Sequence, residues 1–459
     1  MKIELFIAVV AYLTGISAMG IYFSRYVKTS EDFIIAGRRL GSAVLAGTLI
    51  ATWMGSGTVV GGNNTYAYNW GPITAMLLAY LGSPIGIAIL TVLAKRLRER
   101  AGYTVPDFMS RYYGDIGRII ASLAIILAYI GITSYQYSGV GFVLNATLGI
   151  DVETATFIAF VVVLATTLGG GLISVAYTDF VGAVLMLTGL LIGAPLALAS
   201  VGGWSGLMEK LPPANRGVPL SWWEILQYSL PALLLVLGDQ NMYQRFFAAK
   251  DPKTARAAAV GWLIGVITVV PLVAITGSVG RAVFGTSIKP GMSTIKVAAD
   301  VVPTPIGMLM LPAVVAFIIT TGNSYLLSSA TNVGWDIYSR YIRKEAGDKE
   351  KLLVTRVMVL IFGILAYLLI TRWPDILAVQ MYSYTMYGAV ITPPLLAAVL
   401  WKRTTRIGGI VSMVIGAVVT IVWELMGKPY GIGSVLVSAP LATIALVVVS
   451  LLTSKEGGR

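Results

Sequence analysis

Apolar runs of about 20 residues recur along the whole chain, each long enough to cross a hydrocarbon layer as a helix. A bilayer offers no water to exposed peptide groups, so spanning segments must be helices or closed barrels, and runs of this length predict helices. The spans fall at 4–23, 41–62, 72–94, 117–145, 154–170, 174–199, 222–247, 257–283, 303–332, 352–371, 376–400, 407–427 and 432–453, about 13 in all. The first is too long for the apolar core of a signal peptide, carries Glu4 at its head and is followed by further spans, so it reads as a membrane helix. Composition agrees. Of 459 residues, 57% are hydrophobic and 12% charged, against roughly 45–50% and 25% in soluble domains. An ordinary soluble enzyme and a disordered chain are excluded, and one membrane-embedded all-α unit is expected.

The formal net charge of +12 could signal a nucleic-acid partner, but its distribution argues otherwise. Of the 33 Lys and Arg residues, 25 fall in the segments alternate crossing places inside and 8 in those placed outside. That is the positive-inside bias, predicting a multi-pass cell-membrane protein with its N-terminus outside and its C-terminus cytoplasmic. Lipid is the expected partner, not nucleic acid. The sequence has no His and no Cys, which removes zinc sites, thiol nucleophiles and imidazole proton relays together.

Two spans are interrupted in corresponding ways. The second reads Ile50-Ala51-Thr52-Trp53-Met54-Gly55-Ser56-Gly57-Thr58, with Gly61, Gly62, Asn63 and Asn64 following; the seventh reads Gly238-Asp239-Gln240-Asn241. Glycine weakens a helix by roughly 1 kcal/mol relative to alanine, and unwound backbone at membrane depth survives only against protein or a wet cavity. Paired breaks, one heading each half, point to a secondary transporter built from inverted repeats. The expected organisation is a leading helix and linker (1–40), a first five-helix repeat (41–200), a second, inverted one (222–400), and two trailing helices with a short tail (401–459). Close helix packing through small residues is the competing explanation of the glycines.

The ninth span carries a polar stripe. At about 100° per residue, with Thr320 at about 0°, Thr321, Ser324, Ser328, Thr331 and Asn332 all fall within about 120°, while Asn323 and Ser329 lie off it. Hydroxyls plus freed carbonyls suit a dehydrated hard cation without burying net charge; small polar residues also glue helices together. Two carboxylates, Asp179 and Asp239, sit where charge is costly and are functional candidates. Helix-dipole stabilisation of Asp179 and local amide bonding of Asp239 are the structural alternatives.

Several stretches together resemble the sodium:solute symporter family: Ser30-Glu31-Asp32-Phe33-Ile34-Ile35-Ala36-Gly37-Arg38-Arg39, Gly170-Gly171-Leu172-Ile173-Ser174-Val175-Ala176-Tyr177-Thr178-Asp179, Tyr243-Gln244-Arg245 and Asp336-Ile337-Tyr338. The resemblance implies a sodium ion held by the carbonyls of Ala51, Met54 and Phe317 and the hydroxyls of Thr320 and Thr321, with a second near Asp179, Asn323 and Ser324. Asn323 stands where the family usually has Ser. The solute is expected at the breaks, on Thr52, Trp53, Ser56, Thr58, Asp239, Gln240 and Asn241. The run Ala51-Thr52-Trp53-Met54-Gly55-Ser56-Gly57 is similar to the choline-carrier branch, and an indole can hold an ammonium by cation–π attraction.

The expectation is a sodium-coupled symporter, not an enzyme, importing a small organic solute by alternating access, a cationic or zwitterionic amine being favoured. Sodium between the second and ninth spans would stabilise the outward-open state. A proton-coupled permease of the same fold and a sugar or carboxylate carrier stay open, and a channel would be told apart by turnover. A sensor would need a signalling domain, for which residues 454–459 leave no room.

Overall fold

The computed structural model describes residues 2–100, 102–169, 171–217 and 220–454. Gly170, in the expected turn, and residues 455–459, in the expected tail, lie outside the described residues. The chain is helical: Ile3–Ser24 (α1), Ser42–Trp53 (α2), Gly62–Trp70 (α3), Pro72–Leu81 (α4), Ser83–Glu99 (α5), Val105–Leu148 (α6), Val152–Gly169 (α7), Leu172–Ser200 (α8), Trp222–Gly238 (α9), Gln240–Ala248 (α10), Pro252–Phe284 (α11), Ser293–Asp300 (α12), Thr304–Thr331 (α13), Asp348–Arg372 (α14), Ile376–Val390 (α15), Thr392–Leu400 (α16), Arg406–Leu425 (α17) and Val435–Thr453 (α18). The described residues include one isolated bridge, between Leu40 and Ala249.

Ten described helices are long and apolar enough to cross a membrane, eleven if the bent pair Ser42–Trp53 and Gly57–Trp70 is one span. The count of about 13 expected spans is therefore not reached by length alone. The expected spans 154–170 and 222–247 appear as the short α7 and as α9 and α10, divided at Asp239. The second span also runs further than expected. Beyond Gly62 the polar residues Asn63 and Asn64 are buried, their amides donating to Val270 O (2.7 Å) and Pro290 O (2.9 Å), so the helix continues to Trp70. The fourth begins twelve residues early, at Val105: an amphipathic turn precedes Gly114, whose φ of +69° kinks the chain into the span proper.

The interior is set by α13, 78% of whose apolar window is buried, against 17% for the lipid-facing α1. It packs on α6, α8 and α2. Its interior position puts the polar stripe beside the break after α2.

Candidate functional site

At the end of α2 the Met54 amide still donates to Ile50 O (3.0 Å), but the Ser56 amide turns to Gln136 Oε1 (2.8 Å) and that of Thr58 to Gly55 O (2.9 Å). A bent segment, Gly57–Gly61, then leads into α3, the two halves of the span meeting at 54°. Gly55 is required here: a Cβ would collide with the Thr321 side chain. Into this gap α13 brings two hydroxyls. Thr321 Oγ1 lies 3.1 Å from both Ala51 O and Thr52 O, while Thr320 Oγ1 lies 3.4 Å from Ala51 O and 3.2 Å from Phe317 O. All these residues are buried. A hard cation of calcium's size holds oxygens at about 2.4 Å, placing adjacent ligands of an octahedral shell about 3.4 Å apart. The cluster can therefore accept such an ion with little movement, and its oxygens are all neutral. Of the five expected ligands, Ala51, Phe317, Thr320 and Thr321 converge. Met54 lies at the break, its thioether sulfur 3.9 Å from the Thr58 hydroxyl, and Thr52 supplies an additional carbonyl.

The other face of the same break borders a small cavity. Trp53, Met54 and Thr58 line it, and none of its lining side chains carries a charge. Trp53 stacks with Tyr384 (centroids 6.4 Å apart, 28°) and meets Trp262 edge-on (6.1 Å, 74°). Tyr66, Trp70 and Tyr228 cluster ring against ring at the end toward Gly71. Sequence reasoning missed Gln380, whose Nε2 donates to Gly57 O while its Oε1 accepts from the Gly62 amide, each at 3.0 Å. It fastens the bent segment to α15. No local pattern marked it, because the same span also carries Ser383, Thr385 and Thr392.

The remaining candidates divide. Thr52 turns away from the cavity: its hydroxyl bonds Asp179 Oδ2 (3.1 Å) and Ser324 Oγ (3.3 Å). Those two groups also surround Arg245, whose Nη2 reaches Asp179 at 3.1 Å and Ser324 at 2.9 Å. Arg245, counted above among the inside loop charges, is fully buried. Asn323 points elsewhere, accepting from Thr166 (3.1 Å) and Thr167 (2.9 Å) on α7, so it does not join Asp179. Its place off the stripe accounts for this. Ser56 faces Gly139 of α6. Asp239 caps α10 through the amides of Asn241 (2.8 Å) and Met242 (3.4 Å) and accepts from Tyr129 (3.0 Å) and Tyr325 (2.7 Å). Gln240 ties α10 to Ser328 (2.7 Å), Asn332 (2.8 Å) and the Val105 amide (3.1 Å). Ser56, Asp239 and Gln240 therefore do not line the uncharged cavity, and Asn241 lines a second one.

The sodium:solute symporter family profile matches residues 33–416. The osmoregulated proline transporter OpuE of Bacillus subtilis is 29% identical, the alignment covering 99% of this chain and 96% of that protein. The sodium/proline symporter of Escherichia coli is 27% identical over 96% of this chain and 91% of its own. These relatives are named for proline, so the expected leaning to the choline branch finds no support in them. Among solved structures, a Na+-coupled sialic acid symporter superposes with a TM-score of 0.81 at 20% identity, covering 99% of both chains. MhsT in complex with L-phenylalanine gives 0.58 at 12%, covering 91% of this chain and 99% of that one. At such identities the likeness is one of fold. A multi-pass helical membrane protein with interrupted spans, matched over most of its length by that profile, is a transporter: this chain belongs to the sodium:solute symporter family.

Proposed function

We propose that this chain is a sodium-driven symporter for a small zwitterionic amino acid of proline's type, working by alternating access. One observation carries the reading: the break after α2 serves two faces at once. Its Ala51 and Thr52 carbonyls meet the Thr320 and Thr321 hydroxyls, while the adjoining Trp53, Gly57 and Thr58 wall the uncharged cavity. Sodium in the oxygen cluster ties α2 to α13 and so fixes the wall on which solute rests. By linkage, solute then raises sodium affinity by the same factor.

The uncharged cavity favours a solute whose own charges cancel. A net cation would rely on the indole alone, worth about 2 kcal/mol when desolvated. The cationic half of the expected amine class thus gives way to the zwitterion, and the proline relatives support the same class. Trp53 and Tyr384 present faces to a secondary ammonium and its ring. The interrupted spans α2–α3 and α9–α10 head the two five-helix repeats. The charge distribution supports an outside N-terminus and a cytoplasmic C-terminus. The cavity then opens outward, toward Gly71, and the Gln240 and Asp239 networks close the inner side.

The test is competition. Uptake of labelled L-proline into proteoliposomes under an inward sodium gradient should be blocked by excess L-proline and by other cyclic amino acids, and not by choline. Inhibition by choline or a sugar, with none by L-proline, would contradict the assignment.

A further inference from the structure

A third cavity, about 270 Å³, opens at the surface where α7 begins, α14 ends and the connection between α11 and α12 passes. One water takes roughly 30 Å³, so the space admits a small amino acid. Its floor is Ser138 of α6, 7% exposed, whose hydroxyl has no hydrogen-bond partner among the described residues. Two exposed side chains of opposite charge, Glu153 and Lys289, line the walls, and neither makes an ion pair or a hydrogen bond among the described residues. Both ride on fixed backbone. The Thr154 amide at the start of α7 donates to Asp151 Oδ1 (2.8 Å), so the Glu153 carboxylate is left uncommitted by the helix cap. On either side of Lys289, Ile288 O accepts from Tyr68 Oη (3.1 Å) and Pro290 O from Asn64 Nδ2 (2.9 Å), both on α3. Val152 and Ile370 add apolar surface.

We propose that this cavity is an outer binding site for a small neutral amino acid, separate from the α2 break, with the ammonium on Glu153, the carboxylate on Lys289 and a further bond from the Ser138 hydroxyl. The pattern selects a zwitterion. A lone anion or cation meets one attractive and one repulsive side chain, whereas a molecule carrying both charges satisfies the two walls at once through charge-assisted hydrogen bonds. A buried hydroxyl without a partner is costly, and a bound carboxylate oxygen removes that cost. The outward facing of the site rests on the orientation in the reading above, as does L-proline as a probe; the ligand's chemistry follows from the three side chains. A bound amino acid joins α7 to the connection that Asn64 and Tyr68 hold, and so to α3, the half of the broken span beyond the break.

The sequence has no cysteine, so a single Thr371→Cys on the rim of this cavity is a site-specific reporter. In sodium-free potassium buffer, L-proline and L-alanine should each slow maleimide labelling of the purified full chain carrying it, and potassium acetate and choline chloride at the same concentration should not. Tyr430→Cys, exposed on another connection, should label at one rate with and without amino acid. Adding Glu153→Gln or Lys289→Gln to the reporter should raise the half-protecting concentration at least about threefold, with folding checked by size-exclusion chromatography. No protection by either amino acid, equal protection by acetate or choline, equal slowing at Tyr430→Cys, or protection undiminished in both charge variants overturns the proposal. Proteoliposomes that carry no L-proline would refute the transport reading above, and labelling of Thr371→Cys would still decide this site.

Discussion

Replacing Thr321 by Val keeps the side chain's shape in the gap left by Gly55 and deletes one oxygen. In the wild type that hydroxyl lies 3.1 Å from two carbonyls released by the break, Ala51 O and Thr52 O. Without it one buried carbonyl loses its donor, costing about 1–3 kcal/mol of stability. For the ion the loss is one ligand of a small neutral set. Taken as a hydrogen bond to a charged group, about 1.5–3 kcal/mol, it converts to roughly 10- to 150-fold in the sodium half-saturation. The assay is the sodium dependence of L-proline uptake into proteoliposomes at fixed solute, with the folded fraction normalised by size-exclusion chromatography. Thr321→Ser should stay within about threefold, because the oxygen survives. Gly55→Ala, which drives a Cβ into Thr321, should behave like the Val variant. An unchanged sodium half-saturation in correctly folded Thr321→Val would refute the reasoning.

Gln380→Leu removes both 3.0 Å bonds that hold the bent segment to α15. It should raise the solute half-saturation about tenfold or more at saturating sodium, checked by initial uptake rates. Arg245→Met leaves Asp179 as an uncompensated buried charge, a loss of about 3–5 kcal/mol, and should sharply lower the yield of monodisperse protein. Adding Asp179→Asn should restore part of it. Burial raises the pKa of Asp32, but bonds from the Thr29 hydroxyl, the Lys28 amide and Arg39 outweigh it and hold the carboxyl below its ordinary 3.8. A depressed folded value contributes stability above the unfolded value that is lost as pH falls through the folded one. Asp32→Asn should therefore lower the melting temperature at pH 7, and the gap to wild type should close below about pH 3.8.

The membrane class and the broken spans were legible in the sequence, because glycines and polar residues inside apolar runs have few other meanings. The stripe on α13 placed Thr320, Thr321 and Ser324 together and set Asn323 apart, and the angles alone sufficed for that. The facing partner of each stripe was not legible. Asp239 and Gln240 stand at a break, as Trp53 does, yet they cap and fasten α10, because helix periodicity does not say which neighbour a face will meet. Gln380 and Tyr384 gave no local pattern; their role appears only when α15 lies against the bent segment. Arg245 looked like a loop charge because it stands in the last turn of α10, next to the connection that follows, yet it is fully buried. The resemblance, not spacing, supplied Ala51 and Phe317 as carbonyl ligands.

The central claim is that solute accumulation draws on sodium bound between α2 and α13. It is tested most directly by loading proteoliposomes with potassium buffer and imposing, in separate experiments, an inward sodium gradient or an acid-outside pH step. The account predicts transient accumulation of L-proline above equilibrium with the sodium gradient and none with the pH step. Accumulation driven by the pH step and indifferent to sodium would contradict it.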